Sequence, residues 1–308
     1  MDGVTLKQLR YFEAVARHGH FGRAAEACTI SQPAISVQIR ELEQTLGAAL
    51  FERGARKVRL TAFGAQFASR VRETLRHVDD LGNLARAAQS GLGGTLRLGV
   101  IPTVAPYFLP GVIRDLTAAY PTLDLHLRET QTETLLRDLA EARLDLALLA
   151  LPTSEDWLTE EPLFEESFIL VRHQSDAGDP VPDAASLQKM RLLLLEEGHC
   201  FRDQALAFCE ARSLRPHQGM EGTSLSTLVQ MVGAGLGVTL IPEMAVAVER
   251  RSAQVSLARF PDPQPSRKLG LVWRRSNPLD APYRQMAEVM RDTARAFFAA
   301  NGIEGGLA

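Results

Sequence analysis

Residues 21–36 have the sequence Phe-Gly-Arg-Ala-Ala-Glu-Ala-Cys-Thr-Ile-Ser-Gln-Pro-Ala-Ile-Ser, which predicts two helices joined by a tight turn. A short helix is expected over residues 21–28, with a break at Thr29–Ile30. The next helix should begin at Ser31-Gln32-Pro33, because a serine hydroxyl can cap a helix and a proline in the first turn needs no amide hydrogen bond. Apolar residues at helical spacing give this helix a buried face, formed by Ile35, Ile39 and Leu42.

Further helices and an arginine-rich hairpin surround this motif. Upstream, Thr5 is a candidate N-cap for a helix over residues 5–19. Downstream, Leu50-Phe51 leads into the hairpin, and Thr61 then begins a long helix to about Gln89. A narrow apolar stripe with no adjacent chain to pack it favours pairing with a second subunit, although packing against the chain's own body is the alternative. The stripe consists of Phe63, Phe67, Val71, Leu75, Val78 and Leu81.

Strands and helices alternate after the glycine-rich hinge at residues 91–94. The order βαβαβ over residues 95–149 predicts a mostly parallel sheet with helices on both faces. A second unit should start near Leu163 with a strand at 168–171, and the strand at 269–272 should return to the first unit. The predicted fold is therefore an N-terminal all-α winged helix-turn-helix plus an α/β two-lobed regulatory domain like that of periplasmic binding proteins. The expected boundaries are 1–61 for DNA binding, 62–90 for the linker dimerisation helix, 91–94 for the hinge and 95–308 for the regulatory domain, with lobe I at about 95–162 and 268–308 and lobe II at about 163–267.

The composition narrows the class of protein. The 308 residues are enough for two or three domains, and no stretch reaches the roughly 20 uninterrupted apolar residues that span a bilayer. The first twenty residues lack the apolar core of a signal peptide, so we expect a cytoplasmic protein with no membrane partner. Residues 1–60 carry nine basic and six acidic side chains, whereas the remainder carries 25 and 31. This asymmetry indicates that the N-terminal part contacts nucleic acid.

The N-terminal motif resembles the helix-turn-helix of LysR-type transcriptional regulators. The resemblance rests on residues 21–36 and extends to Gln38-Ile39, Leu46-Gly47, Leu50-Phe51-Glu52-Arg53 and Leu60-Thr61. It implies double-stranded promoter DNA and RNA polymerase as partners and a homodimer or homotetramer as the assembly. A recognition helix presents its N-terminal residues to base edges in the major groove, and wing arginines meet phosphates or the minor groove. The DNA contacts expected from the resemblance are Ser31, Gln32, Pro33, Ser36, Arg53 and Arg56.

Two of the three cysteines are close in sequence. Cys200 and Cys209 lie nine residues apart in a charged setting, whereas Cys28 lies in an alanine-rich helix and is interpreted as a small core residue. The block His199-Cys200-Phe201-Arg202-Asp203, together with Ile101-Pro102-Thr103 and Gln131-Thr132, resembles the peroxide-sensing members of the LysR family. The resemblance implies hydrogen peroxide as the signal, a thiol system as the reductant and no cofactor. The implied redox residues are Cys200 and Cys209, and the implied peroxide pocket consists of Thr103, Thr132, His199, Arg202 and Asp203.

The chemistry of these residue types fits such a sensor. A thiolate attacks peroxide, and the resulting sulfenic acid is resolved to a disulfide by a second thiol. Arg202 could favour the thiolate, Asp203 could orient Arg202, and His199 could donate a hydrogen bond or hold a water. If residues 201–209 are helical, nine residues span about 13 Å. A disulfide needs Cα atoms within about 7 Å, so its formation must unwind this segment.

The sequence alone also permits other interpretations. Thr132 is also a good helix N-cap, and both threonines could serve only as caps. The chain could be an ordinary LysR-type regulator that binds a metabolite between its lobes, with incidental cysteines. A thiol peroxidase with an appended DNA-binding domain is a third possibility, although a winged helix-turn-helix has no purpose in that enzyme. We therefore expect a peroxide-switched transcription factor, not an enzyme, whose Cys200–Cys209 disulfide changes DNA binding and the activation of oxidative-stress genes.

Overall fold

A computed structural model describes residues 3–52, 58–88, 93–187, 190–209, 221–303 and 306–307. The chain divides into two compact units, Met1–Ala85 and Arg86–Ala308. The N-terminal unit contains α1 (Leu6–His18), α2 (Phe21–Ala27), α3 (Gln32–Leu46) and most of α4 (Ala62–Ala88).

The helices of the N-terminal unit begin where the caps predict. The Thr5 hydroxyl accepts from the Gln8 N–H, and the Gln8 side chain accepts from the Thr5 N–H in return, which completes a capping box. Ser31 caps α3 by accepting from the Ala34 N–H at 3.4 Å. Both predicted starts are thus confirmed. The predicted buried face of α3 is also confirmed, and its members Ile35, Ile39 and Leu42 pack into the core of this unit.

The base of the predicted wing is present. Phe51 pairs with Leu60, and the Glu52 N–H donates to the Arg59 carbonyl at 2.9 Å. The predicted DNA contacts Arg53 and Arg56 of the wing lie outside the described residues. The stripe along α4 is divided, because Val71 is buried in the core of the unit while Phe63 is 41% and Leu81 65% exposed. Pairing of this helix with a second subunit stays a prediction.

The C-terminal unit is built on ten strands and seven helices within the described residues. The strands are β1 (Gly94–Val100), β2 (Leu123–Glu129), β3 (Leu146–Leu151), β4 (Leu158–His173), β5 (Leu194–Leu195), β6 (Glu221–Gly222), β7 (Thr239–Pro242), β8 (Val255–Arg259), β9 (Ser266–Arg274) and β10 (Gly306–Leu307). The helices are α5 (Ala105–Ala119), α6 (Thr132–Ala140), α7 (Ala184–Leu187), α8 (Cys200–Phe208), α9 (Leu225–Gly233), α10 (Val246–Glu249) and α11 (Asp280–Asn301).

Strand pairing defines two lobes. In lobe I, β1 lies between β2 and β3 and is parallel to both, and β9 adds antiparallel to β3. Strand β4 pairs with β9 up to Ser167 and then with β7 and β8 of lobe II from Phe168 onward. This two-lobed α/β arrangement confirms the predicted fold class. The strand expected at 168–171 is wrong in its extent, because β4 is one continuous 16-residue strand. Pro162 and a register shift between Pro162 and Phe164 obscure its alternating pattern in the sequence.

Candidate redox site and nucleic-acid interface

Helix α8 separates the two cysteines of the candidate redox site. Cys200 is the first residue of this helix, Cys209 follows its last turn, and neither cysteine forms a disulfide. The helix is held in place by aromatic contacts near its two ends, with the Phe201 ring 4.9 Å from that of Phe168 and the Phe208 ring 5.0 Å from that of Phe260. The predicted helix is therefore confirmed. Nine residues of helix span about 13 Å, beyond the roughly 7 Å that a disulfide allows.

The two thiols have different surroundings. Cys200 is partly exposed, whereas Cys209 is fully buried. Burial raises the pKa of Cys209 to about 11, because the protein interior disfavours the thiolate. Cys209 is therefore a neutral thiol at neutral pH and a poor nucleophile while α8 is intact. Cys200, in contrast, lies in the first turn of α8, where a dissolved molecule can reach its partly exposed side chain.

His199 precedes Cys200 and is buried. Its Nε2 lies 4.0 Å from Glu196 Oε1. Burial lowers the pKa of His199, and the Glu196 carboxylate opposes this shift. The ring is therefore neutral at neutral pH, and one nitrogen can donate a hydrogen bond while the other accepts one.

Arg202 is directed to a different part of the site from the one we expected. Its Nη1 donates to the Leu195 carbonyl at 2.6 Å and lies 2.9 Å from Glu221 Oε1. The expectation that Asp203 orients Arg202 is not supported, because Asp203 is exposed and the ion pair that the structure gives Arg202 is with Glu221. Arg202 thus anchors α8 to β5 and β6 by its side chain.

Gln131 and Gly198 bring the start of α6 against the segment before Cys200. The Gln131 amide donates to the Glu197 carbonyl at 3.2 Å. Gly198 has φ +94°, a backbone conformation that favours glycine, and a Cβ there would displace the Gln131 amide, whose Oε1 would lie 2.5 Å away. Thr132 is not the helix N-cap, since Gln131 occupies that position. The Thr132 hydroxyl oxygen is buried and has no hydrogen-bond partner among the described residues.

Thr103 lies against an arginine that the sequence did not single out. Arg267 donates from Nη1 to Thr103 Oγ1 at 2.8 Å, and its guanidinium carbon lies 5.2 Å from the centre of the Phe201 ring. Thr103 and Arg267 are both buried. Arg267 therefore contacts both Phe201, the residue next to Cys200, and the candidate pocket threonine.

A second missed residue lies on α8 itself. Gln204 is one helical turn after Cys200, and its Oε1 atom is buried without a hydrogen-bond partner in the described part of the chain. Unpartnered buried polar atoms are uncommon in proteins. Gln204 and Thr132 thus offer two unsatisfied polar groups on elements that adjoin Cys200. A small polar molecule such as a peroxide could satisfy them.

The candidate nucleic-acid interface is the outward side of α3. Gln32 and Pro33 are exposed in its first turn, Ser36 is half-buried one turn on, and Val37 is 44% exposed. Arg40, which we did not predict, is exposed on the next turn and donates from Nε to the Ser36 carbonyl at 3.3 Å. This side can contact base edges and phosphates. The roles of these residues in DNA binding stay predictions.

The described residues contain neither a helix suited to crossing a membrane nor a cluster suited to binding a metal ion. None of their helices has both the length and the apolar character that a bilayer crossing requires. None of their His, Cys, Asp and Glu side chains form a group of three or more that could hold a metal ion.

Comparison with known protein families places the chain in a class. Residues 6–65 match the bacterial regulatory helix-turn-helix protein family, lysR type, and residues 89–295 match the LysR substrate binding domain. The chain therefore belongs to the LysR family of bacterial regulators.

Two relatives within that family are similar to this chain over nearly its whole length, and the name of the first refers to hydrogen peroxide. A probable hydrogen peroxide-inducible genes activator from Streptomyces viridosporus is 46% identical over 94% of this chain and 95% of its own length. The DNA-binding transcriptional dual regulator OxyR from Escherichia coli K12 is 40% identical, with the same coverage of both chains.

Solved structures of OxyR proteins are also similar to this chain over nearly its whole length. A cysteine-to-aspartate variant of full-length OxyR from Pseudomonas aeruginosa has a TM-score of 0.75 and 34% identity, covering 94% of this chain and 96% of that one. A hydrogen peroxide-bound cysteine-to-serine variant of OxyR from Corynebacterium glutamicum has a TM-score of 0.67 and 35% identity, covering 97% of this chain and 96% of that one.

Proposed function

We propose that this chain is a hydrogen peroxide-sensing transcription factor whose promoter binding changes when Cys200 and Cys209 form a reversible disulfide. The observation that carries the proposal is the placement of two reduced cysteines at opposite ends of α8, one partly exposed and one fully buried. The similarity to hydrogen peroxide-inducible genes activators supports it.

The chemistry proceeds in two steps. The Cys200 thiolate attacks one oxygen of hydrogen peroxide, the O–O bond breaks, and hydroxide leaves and takes up a proton to become water. Cys200 is then a sulfenic acid. The Cys209 sulfur displaces the hydroxyl group of that acid, forms the S–S bond and releases a second water. A cellular dithiol returns both cysteines to the reduced state by exchange.

The second step requires a large change of shape. Cys209 must leave the core, and α8 must unwind, before the sulfurs can meet. Phe201 and Phe208 would then lose their ring contacts with Phe168 and Phe260. Repacking of this region is the event that would alter the arrangement of subunits on DNA.

Cys200 and Cys209 are expected to react together, so the number of free thiols per chain tests the proposal. Thiols are titrated before and after one equivalent of peroxide, and again after dithiothreitol. The free-thiol count should fall by two per chain and then recover, and promoter binding should change in step with it. Cys200→Ser should abolish both changes, while Cys28→Ser, the matched control, should leave them intact. A Cys200→Ser protein that still responds to peroxide would refute the proposal.

Binding of a metabolite between the lobes is the second candidate function, and one observation weighs against it. Tyr107 of lobe I donates to Glu249 Oε1 in lobe II at 2.7 Å, and Ser226 donates to the same oxygen at 2.8 Å. Burial and the adjacent carboxylate raise the pKa of Tyr107 well above its ordinary value, so its hydroxyl keeps its proton. These polar groups of the two lobes bond to each other and are not available to a ligand in this conformation.

The remaining features of the proposal follow from the class of protein. Regulators of this family bind promoter DNA, and we infer that this chain acts on RNA polymerase as a homodimer or homotetramer in the cytoplasm. The exposed Phe63 and Leu81 side chains on α4 support pairing of subunits along that helix. We infer that it is not an enzyme. Turnover of many peroxide equivalents per chain with a dithiol, at a rate matching a peroxidase, would contradict that inference.

A further inference from the structure

A buried ion pair lies at the junction of the lobes. Glu166 of β4 is the direct cross-strand partner of Arg267 of β9, and both side chains are fully buried. Burial raises the pKa of the Glu166 carboxyl, while Arg267 and the Met244 N–H oppose this shift. A buried ion pair often stabilises a fold no better than apolar side chains of the same volume. Fold stability alone therefore does not account for this pair.

Glu166 fixes the orientation of the Arg267 guanidinium by binding one of its edges. Arg267 donates to Glu166 Oε1 from Nε at 2.9 Å and from Nη2 at 2.7 Å. The second carboxylate oxygen of Glu166 accepts from the Met244 N–H at 3.0 Å. The carboxylate is thus held on two sides, and it leaves the guanidinium no freedom to rotate about its own side chain.

The adjacent edge of the guanidinium, formed by Nη1 and Nη2, faces Thr103. Nη1 donates to Thr103 Oγ1 at 2.8 Å, and Nη2 lies 3.3 Å from the Thr103 carbonyl oxygen. Since the Thr103 oxygen accepts from Arg267, its own hydrogen is free to donate to another group. No acceptor for that hydrogen is found among the residues that the structure describes. The same guanidinium lies over the ring of Phe201, the residue after Cys200.

We propose that Glu166 is a positioning residue for peroxide reduction, which locks Arg267 so that the Thr103 hydroxyl donates its hydrogen to a peroxide oxygen at Cys200. This inference rests on the proposed function. Glu166 itself touches neither the peroxide nor the thiol. It acts through Arg267, whose donation to Thr103 polarises the hydroxyl and sets its direction.

The test compares two reactions of Cys200 in the reduced full-length protein. Glu166→Gln removes the negative charge, and its amide cannot accept from both Arg267 and Met244. The second-order rate with hydrogen peroxide should fall about tenfold or more, the factor expected for loss of a charge-assisted hydrogen bond. The alkylation rate with iodoacetamide, which needs no such donor, should stay within about twofold of the natural protein.

A matched control lies on the same strand. Glu161 of β4 pairs with Arg284 and Arg291 of α11 and does not contact Thr103 or Arg267. Glu161→Gln should lower thermal stability without changing the ratio of the peroxide rate to the alkylation rate. If Glu166→Gln lowers both rates equally, or leaves both unchanged, Glu166 has a structural role only and the inference is overturned.

A double-mutant cycle tests the route of the effect. In a Thr103→Val background, Glu166→Gln should change the peroxide rate by less than about twofold, because the hydroxyl that it positions is gone. A full additional tenfold loss would overturn the inference. If Glu166→Gln does not fold, Glu166→Asp replaces it in the test. Aspartate keeps the negative charge but is one methylene shorter, so its carboxylate lies farther from Arg267. The peroxide rate of Glu166→Asp must then fall below that of the natural protein.

These outcomes separate the inference from the proposed function. If Cys200 of the natural protein reacts with peroxide no faster than free cysteine does, the proposed function fails. If it reacts fast, and equally fast in Glu166→Gln, only the inference fails.

Discussion

Weakening α8 at an exposed position should speed disulfide formation without touching the chemistry of either thiol. Ala207 is exposed near the end of α8, and glycine is less favourable than alanine in a helix by about 0.5–1 kcal/mol. Ala207→Gly should therefore raise the population of the unwound segment by about two- to fivefold, since about 1.4 kcal/mol corresponds to a factor of ten. If unwinding precedes attack by Cys209, the step from sulfenic acid to disulfide should accelerate by the same factor.

The two steps can be measured separately. Rapid mixing with peroxide, followed by timed quenching with a sulfenic-acid trap and with a thiol alkylating agent, gives both rates by mass spectrometry. Formation of the sulfenic acid should be unchanged, because Cys200 lies at the other end of the helix. The matched control is Ala296→Gly on the exposed side of α11, which carries the same cost in helix stability outside the redox segment. Equal closure rates in Ala207→Gly, Ala296→Gly and the natural protein would refute the idea that α8 must unwind.

Three further predictions follow from the site and the interface. Thr132→Val should reduce the peroxide rate about tenfold with no loss of melting temperature, because the hydroxyl it removes has no partner to lose; an unchanged rate would remove Thr132 from the pocket. Because the pKa of Cys209 is raised in the folded protein, its neutral thiol contributes up to about 2 kcal/mol to the free energy of unfolding below pH 9. This contribution should be lost as the pH rises toward 11. Urea unfolding of the natural protein and of Cys209→Ala at pH 8 and 10.5 checks this, and a pH-independent difference would contradict it. Gln32→Ala should weaken specific promoter binding by about 1–3 kcal/mol relative to scrambled DNA in a fluorescence titration, and equal losses on both DNAs would exclude a base contact.

Local patterns account for what the sequence predicted well. The start of α3 at Gln32 and its cap at Ser31 depend on residues within a few positions of each other. Such patterns of caps and periodicity are legible without knowledge of the fold. The helix between Cys200 and Cys209 belongs to the same class, because Ala205, Leu206 and Phe208 favour it locally.

The contacts that complete the site are long-range and were missed for that reason. Glu166 and Arg267 are 101 positions apart, and Tyr107 and Glu249 are 142 positions apart. A signal for Glu166 was nevertheless present, since it occurs at the inward position of a strand between Phe164 and Phe168, both of which are fully buried. A charge at an inward position of a strand must find a partner across the sheet. The sequence does not show which arginine is the partner, because the pairing depends on the register of β4 and β9.

The inaccessibility of Cys209 also determines how much oxidant one molecule of the sensor consumes. Of the two thiols of the redox segment, dissolved peroxide can reach only that of Cys200, so a second molecule of peroxide finds no second thiol there while the first oxidation is being resolved. Each chain therefore reacts with a single molecule of peroxide. The regulatory response then scales with the number of chains that are oxidised, and not with repeated oxidation of one chain. Shielding the resolving sulfur in this way protects it from irreversible overoxidation until its partner has already reacted.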